Sequence, residues 1–161
     1  MSARTYGLAD DQAMPLQRAL ALLDAHAAAY PGVAAWVAKV HQHAANRGEV
    51  RMLYGRRRYL SNIYSTLPGA VAEARCHAVN TIVQGTAADL MKMALIQLHD
   101  RLPDDVRMLL PVHDSVFLEV PAEMVEETGR IVRDAIETAT TGFTVLLKVK
   151  GKTGRTRAKC K

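Results

Sequence analysis

The sequence is poor in cysteine and in aromatic residues, and it has no long apolar run. Only Cys76 and Cys160 occur in 161 residues, and neither has a Cys or His neighbour at the spacing of a structural zinc site. No run of about 18 apolar residues could cross a membrane, and no apolar segment follows residues 1–4 as in a secretory signal. These absences predict a cytoplasmic protein with reduced thiols, while a single disulfide stays open.

The composition that is present is globular, with an excess of basic residues. Hydrophobic residues make up 49%, charged residues 23%, and the formal net charge is +5. Such a chain is not intrinsically disordered, and its charge favours a polyanionic partner. One domain, or one domain with an appendage, is expected at this length. Basic residues concentrate in residues 51–58 and again from Lys148 onwards.

Apolar residues at helical spacing predict four helices in the first two thirds of the chain. Proline and glycine supply the stop signals, with Pro31 after the first helix and Gly48 after the second. The predicted ranges are 13–29, 32–46, 68–81 and 83–102.

Runs of β-forming residues predict two hairpins and a final strand. Gly55 occupies the tight turn of the first hairpin, and the polar tripeptide His113-Asp114-Ser115 forms the tip of the second. The predicted strands are 49–53 with 57–63, 107–112 with 116–120, and 143–150, with a helix over 122–140 before the last strand. The fold class predicted from this order is α+β, with a small antiparallel sheet packed against helices.

The tip of the second hairpin is the first candidate site. Apolar strands on both sides would hold Asp114 rigidly while its carboxylate stays accessible, which suits a ligand of Mg²⁺. In the alternative interpretation Asp114 only forms the turn, since Asp is a common turn residue.

Two further segments have a functional and a structural interpretation. Gln84, which opens the stretch Gln84-Gly85-Thr86-Ala87-Ala88-Asp89, could contact a base edge or a sugar, or the small residues could serve close helix packing. The run Arg56-Arg57-Arg58-Tyr59 suits phosphate contacts, with Tyr59 packing on a sugar or base, or it is a solvated run of charges.

Five segments taken in order resemble family A DNA polymerases, the bacterial DNA polymerase I type. The resemblance runs from Met1 to about Gly154, and it favours the functional interpretation of each segment. It implies a C-terminal fingers and palm fragment, with fingers-derived helices and the basic hairpin in 1–66 and the palm-derived region in 67–161. The matching segments are Tyr30-Pro31-Gly32-Val33, Gly55-Arg56-Arg57-Arg58-Tyr59-Leu60, Ala78-Val79-Asn80, Gln84-Gly85-Thr86-Ala87-Ala88-Asp89 and Val112-His113-Asp114.

The resemblance also implies roles for individual residues. Asp114 would be one of two aspartates that hold two catalytic Mg²⁺ ions, and His113 would lie near the primer terminus. Asn80 and Gln84 would contact template or primer in the minor groove. The basic run Arg56, Arg57 and Arg58 would lie close to the duplex. The implied reaction, in DNA replication or repair, is attack of a primer 3′-hydroxyl on the α-phosphate of a deoxynucleoside triphosphate.

The sequence departs from the family pattern at three positions. Ser115 stands where the family usually has Glu, Cys76 stands where it usually has Arg, and Arg157 falls where it has Trp. The nucleotide-binding helix and the motif with the other metal-binding Asp have no counterpart in these 161 residues. Since Asp114 alone supplies too little charge for two metals, we expect the isolated chain not to polymerise DNA.

Three hypotheses follow from this incomplete set of motifs. The chain is a split polymerase subunit or truncated product that works with a second chain carrying the N-terminal motifs. Alternatively, it is a non-catalytic DNA-binding remnant, or the remnant of a broken gene. In the last case residues 1–46 would expose apolar surface, and a homodimer could bury it. No membrane partner is expected.

Overall fold

The structure is a computed structural model that describes residues 3–139, 145, 147–156 and 159–160. The chain divides into two compact units, a first unit up to Thr86 and a second unit from Ala87 onwards. The boundary between fingers-derived and palm-derived parts, expected near residue 66, stays a prediction. Among the residues described, no helix combines the length and the apolar character needed to cross a membrane.

Three helices open the first unit, α1 (Ala3–Asp11), α2 (Leu16–Ala29) and α3 (Pro31–Arg47). Pro31 occupies the first turn of α3, and Gly48 ends it with φ +67°, so both predicted stop signals are confirmed. The sequence did not predict α1. It also placed the start of α2 at residue 13, three residues early, because Ala13 has φ +47° and Pro15 precedes the first turn.

The first hairpin joins β1 (Glu49–Arg51) to β2 (Arg57–Tyr59) in antiparallel register. Gly55 has φ +84°, which confirms its predicted place in the tight turn. The second strand is shorter than the predicted 57–63, because a 3₁₀ turn (Ser61–Tyr64) begins two residues after it. Leu60 N–H still donates to Gly48 O at 2.7 Å.

The core of the first unit lies where this hairpin meets two helices. Val50 is 1% exposed, and Ala44 and Ala78 are fully buried. Small alanines on α3 and on the next helix leave room for the larger apolar side chains of the hairpin and the 3₁₀ turn. The members of the cluster are Val40, Ala44, Val50, Leu60, Ile63, Ala74 and Ala78, with Val79 and Ile82 packed against it.

One helix of 34 residues, α4 (Pro68–Arg101), replaces the two helices predicted over 68–81 and 83–102. Its buried residues do not form one continuous stripe. Ala74, Ala78 and Thr81 are buried along one stripe, and Thr86, Leu90, Ala94 and Leu98 are buried along a second stripe at four-residue spacing, which is rotated about the helix axis from the first. Because the buried side of the helix changes along its length, the sequence pattern resembles that of two helices although the backbone continues as one.

The second unit contains the C-terminal part of α4, β3 (Arg107–Val112), β4 (Ser115–Glu119), a 3₁₀ turn (Ala122–Met124) and α5 (Val125–Thr138). Leu98 on α4 and Ala135 on α5 are both fully buried. Two polar contacts join the same helices: Arg101 Nη1 donates to Asp134 Oδ2 at 2.7 Å, and Thr138 Oγ1 lies 3.3 Å from Gln97 Oε1.

These elements confirm the α+β fold class, with antiparallel two-stranded sheets among helices. The predicted last strand over 143–150 is wrong for its described residues, since Val145 and 147–150 belong to no strand. Val149 N–H donates to the Glu137 carboxylate at 3.2 Å, so a side chain satisfies a donor that a neighbouring strand would otherwise pair. The other residues of that prediction, and Arg157, lie outside the described residues.

Candidate functional site

Asp114 lies in a two-residue turn at the end of the second hairpin. Val112 pairs with Ser115, so His113 and Asp114 alone connect the strands. His113 has φ +54°, a left-handed conformation that is uncommon for residues other than glycine. Both side chains are exposed. The turn therefore presents the Asp114 carboxylate to solvent. The strands beside it are not the buried strands that the apolar flanks predicted, since every residue of β3 and β4 is exposed or half-buried.

The carboxylate has one polar neighbour within its own turn. Ser115 Oγ donates a hydrogen bond to Asp114 Oδ1 at 3.4 Å. In the part of the chain that the structure describes, no three His, Cys, Asp or Glu side chains lie close enough together to hold a metal ion.

Asn80 and Gln84 lie on one exposed face of α4 in the first unit. They are four residues apart, so their amides are neighbours along the helix. An amide both donates and accepts hydrogen bonds, which suits contacts with base edges or sugars. The structure thus brings together these two residues of the predicted DNA contact.

The basic hairpin lies against α4 through three hydrogen bonds in the first unit. Arg58 Nη1 donates to Thr81 Oγ1 at 2.8 Å, and Arg56 Nη2 donates to Gly85 O at 3.0 Å. The backbone N–H of Leu53 donates to Thr86 Oγ1 at 3.1 Å. Two of the three consecutive arginines therefore bind the protein itself.

Gly85 allows this close approach of the hairpin. A Cβ added at this position would lie 2.7 Å from Met52 Cγ, 2.9 Å from Met52 Cε and 3.3 Å from Arg56 Nη2. Close packing between helices was the alternative interpretation of this segment, and the neighbours of Gly85 are instead Met52 and Arg56 of the hairpin. Because side chains alternate between the two faces of a strand, the apolar side chain of Met52 could have identified the face of the hairpin that packs against α4.

Arg57 points away from these contacts. Its guanidinium carbon lies 5.9 Å from the centre of the Tyr59 ring, and its Nη1 lies 3.7 Å from Glu49 Oε2. Half of its side chain is exposed. The structure therefore places the three consecutive arginines in two different environments. The sequence prediction had assigned all three to the same environment, close to the duplex.

The comparisons with known proteins agree on one family. The sequence profile of DNA polymerase family A matches residues 2–159. The chain is 38% identical over 133 residues to a thermostable DNA polymerase I of Thermus thermophilus, which covers 82% of this chain and 16% of that protein. It is 38% identical over 147 residues to DNA polymerase I of Geobacillus stearothermophilus, with 89% and 17% covered.

A solved structure is similar in both fold and sequence. It is the POL domain of Pol1 from M. smegmatis in complex with DNA primer-template and dNTP, with a TM-score of 0.79 and 30% identity. The match covers 84% of this chain and 24% of that chain. The 161 residues thus span less than a fifth of the two curated relatives and about a quarter of the solved chain.

Proposed function

This chain belongs to DNA polymerase family A, and from that premise we propose that it is the C-terminal part of a DNA-directed DNA polymerase. The observation that carries the proposal is the exposed Asp114 on a two-residue turn between paired residues. The primer–template and dNTP named for the M. smegmatis complex support DNA and nucleotides as partners. The reaction is attack of a primer 3′-hydroxyl on the α-phosphate of the nucleotide, with release of pyrophosphate.

Each candidate residue has a distinct part in this proposal. Asp114 supplies one carboxylate toward the Mg²⁺ ions, from a two-residue turn closed by the pairing of Val112 with Ser115. His113 lies next to it, toward the primer terminus. Asn80 and Gln84 face the minor groove of primer or template with their amides. The basic hairpin with Arg56, Arg57 and Arg58 lies along the duplex.

The 161 residues are expected to be inactive by themselves. A two-metal reaction needs a second carboxylate and a helix that binds the incoming nucleotide, and both would come from a polypeptide with the N-terminal motifs. Leu22, Val33 and Trp36 on α2 and α3 are 47%, 51% and 37% exposed, the apolar surface expected where these helices lack the packing partners of a longer polypeptide, whether a second chain or a second copy covers it.

The test is a reconstitution. The purified chain, primed template, four dNTPs and Mg²⁺ should give no extension, and adding a polypeptide with the N-terminal motifs should give template-dependent extension. Asp114→Ala should abolish that extension, whereas Asp104→Ala, another exposed carboxylate of the second unit, should not. Extension by the chain alone would contradict the predicted incompleteness, and full extension with Asp114→Ala would contradict the role of Asp114.

A second candidate function is DNA binding without catalysis. The net charge of +5 and the basic hairpin favour it. In that case Asp114→Ala would leave binding of primer–template unchanged, and no partner would restore extension. Binding by fluorescence anisotropy beside the extension assay separates the two candidates.

A further inference from the structure

The basic hairpin has two faces with different roles. We infer that Arg51 and Arg57 contact the phosphate backbone of DNA, whereas Arg56 and Arg58 are positioning residues that fix the hairpin on α4. The inference rests on the proposed function, since it assumes that the first unit binds primer–template. Arg51 thereby joins the expected phosphate contacts, and Arg56 and Arg58 are no longer expected to contact DNA directly.

Strand alternation defines the inner face, which consists of Val50, Met52, Arg56 and Arg58. Val50 and Arg58 are directly opposite in the register, and side chains of opposite residues share a face. Met52 follows two residues after Val50, and its N–H donates to Arg56 O at 2.9 Å. Val50 and Met52 are 1% and 5% exposed, so the apolar half of this face packs inside the first unit. Arg56 and Arg58 remain exposed to solvent over part of their surface while their guanidinium groups bind α4.

The spacing of the two inner arginines matches the spacing of their acceptors on α4. Two residues along a strand advance by about 6.6 Å, and four residues along a helix advance by about 6.0 Å. Arg58 therefore reaches Thr81 while Arg56 reaches the Gly85 carbonyl, at 2.8 and 3.0 Å. Thr81 is only 6% exposed, so the Arg58 bond also satisfies a buried hydroxyl.

The outer face consists of Glu49, Arg51, Arg57 and Tyr59, and it carries more positive than negative charge. Arg51 is directly opposite Arg57, and Glu49 is directly opposite Tyr59. The Glu49 carboxylate accepts from Arg51 Nε at 3.0 Å and lies 3.7 Å from Arg57 Nη1. One carboxylate therefore serves two guanidinium groups whose side chains are 58% and 51% exposed.

The two facing guanidinium groups of the outer face favour a phosphate bound between them. Like charges directly opposite on a sheet repel each other, and a phosphate between them would relieve the repulsion. Each guanidinium has five N–H donors in a planar fork that fits phosphate oxygens. Tyr59, 68% exposed, supports the Arg57 guanidinium from one side and leaves its ring accessible to a sugar or base.

The experiment measures the salt dependence of primer–template binding by the full 161-residue chain. Fluorescence anisotropy from 50 to 200 mM salt gives the slope of log K against log salt, which changes by about 0.9 for each phosphate contact on duplex DNA. The double variant Arg51→Gln/Arg57→Gln should reduce the magnitude of the slope by about 1.8. The double variant Arg18→Gln/Arg130→Gln, at exposed positions on α2 and α5, is the control of equal charge and should leave the slope unchanged.

The positioning role of Arg58 has its own pair of variants. Arg58→Gln removes a charge and the bond to Thr81, and Thr81→Val removes the same bond without changing the charge. Both should lower the melting temperature and weaken DNA binding similarly, with the salt slope unchanged. A slope reduced by about 0.9 in Arg58→Gln alone would show a direct phosphate contact and overturn the division of roles.

Other outcomes separate this inference from the function on which it rests. If the wild-type chain binds DNA and the outer-face double variant keeps the full slope, the inference fails and the proposed function stands. If the wild-type chain binds no DNA at 50 mM salt, both fail. Glu49→Gln should bind DNA about twofold to fivefold more tightly, because it removes an anion that competes with phosphate. Weaker binding by Glu49→Gln with an unchanged melting temperature would contradict the inference.

Discussion

Gly85→Ala should destabilise the chain although alanine is the better helix former. In a helix interior alanine is favoured over glycine by about 1 kcal/mol. The new Cβ, however, would lie 2.7 Å from Met52 Cγ and 2.9 Å from Met52 Cε. Met52 is 5% exposed, so it has little room to move, and overpacking of this kind costs about 1–3 kcal/mol. The net loss in the free energy of unfolding is about 1 kcal/mol.

Gly129→Ala is the matched control in another helix. Gly129 lies inside α5, and apart from its chain neighbours and the backbone of its own helix no described atom lies within 4 Å of a Cβ built on it. The same chemical change should therefore stabilise by about 1 kcal/mol. For a chain of this size the melting temperature should fall by about 2–4 °C in Gly85→Ala and rise by a similar amount in Gly129→Ala. Thermal unfolding followed by circular dichroism measures both changes.

A double-mutant cycle tests the physical cause. Met52→Ala alone should destabilise by about 2–5 kcal/mol because it leaves a cavity. Combined with Gly85→Ala it should cost at least about 0.5 kcal/mol less than the sum of the two single changes, since the clash partner is gone. An increase in melting temperature for Gly85→Ala, or strict additivity with Met52→Ala, would refute the close packing of the hairpin on α4.

The remaining predictions concern residues of the second unit, with Leu22 of the first unit as an exposed control. Leu98→Ala should lower the free energy of unfolding in urea by about 2–5 kcal/mol, because Leu98 is fully buried, whereas Leu22→Ala at an exposed position should change it by less than about 0.5 kcal/mol. Equal effects would contradict the assigned burial. His113→Gly should raise the melting temperature slightly, since glycine adopts the positive φ of 54° without strain, and a decrease would argue against that turn conformation. Asp114→Asn should leave the melting temperature unchanged within about 1 °C, because the side chain is exposed, and a large decrease would indicate a structural role.

Local signals in the sequence were sufficient for most helix ends and turns. Pro31, Gly48 and Gly55 act through backbone properties that each residue carries by itself, a fixed φ or access to positive φ. The structure places all three at the predicted ends and turn. The failures depend on partners distant in sequence. Alternation in 143–150 predicted a strand, but the described residues there lack a strand neighbour, and one donor binds Glu137.

In the candidate site, too, local features were predictable from the sequence and contacts between distant segments were not. The position of Asp114 in a turn was predictable because two apolar strands and a short polar turn are local features, and its role as a metal ligand stays a proposal that rests on the resemblance. The environments of the arginines were not predictable from the run itself, because Thr81 and Gly85 lie more than twenty residues away in sequence. A hydrogen bond at that separation leaves no trace in composition or local periodicity.

A run of three arginines has a different meaning in a strand than in a helix. Neighbouring side chains of a strand point to opposite faces, so consecutive arginines cannot all approach one side of a duplex. The hairpin uses this constraint: Arg56 and Arg58 bind the helix behind it, and Arg57 joins Arg51 from the facing strand on the exposed side. The phosphate-binding pair is therefore formed across two strands rather than along the run. In the first unit, two arginines therefore hold the hairpin against α4, and two others form an exposed positive surface. A DNA backbone bound there would relieve the repulsion between those two charges.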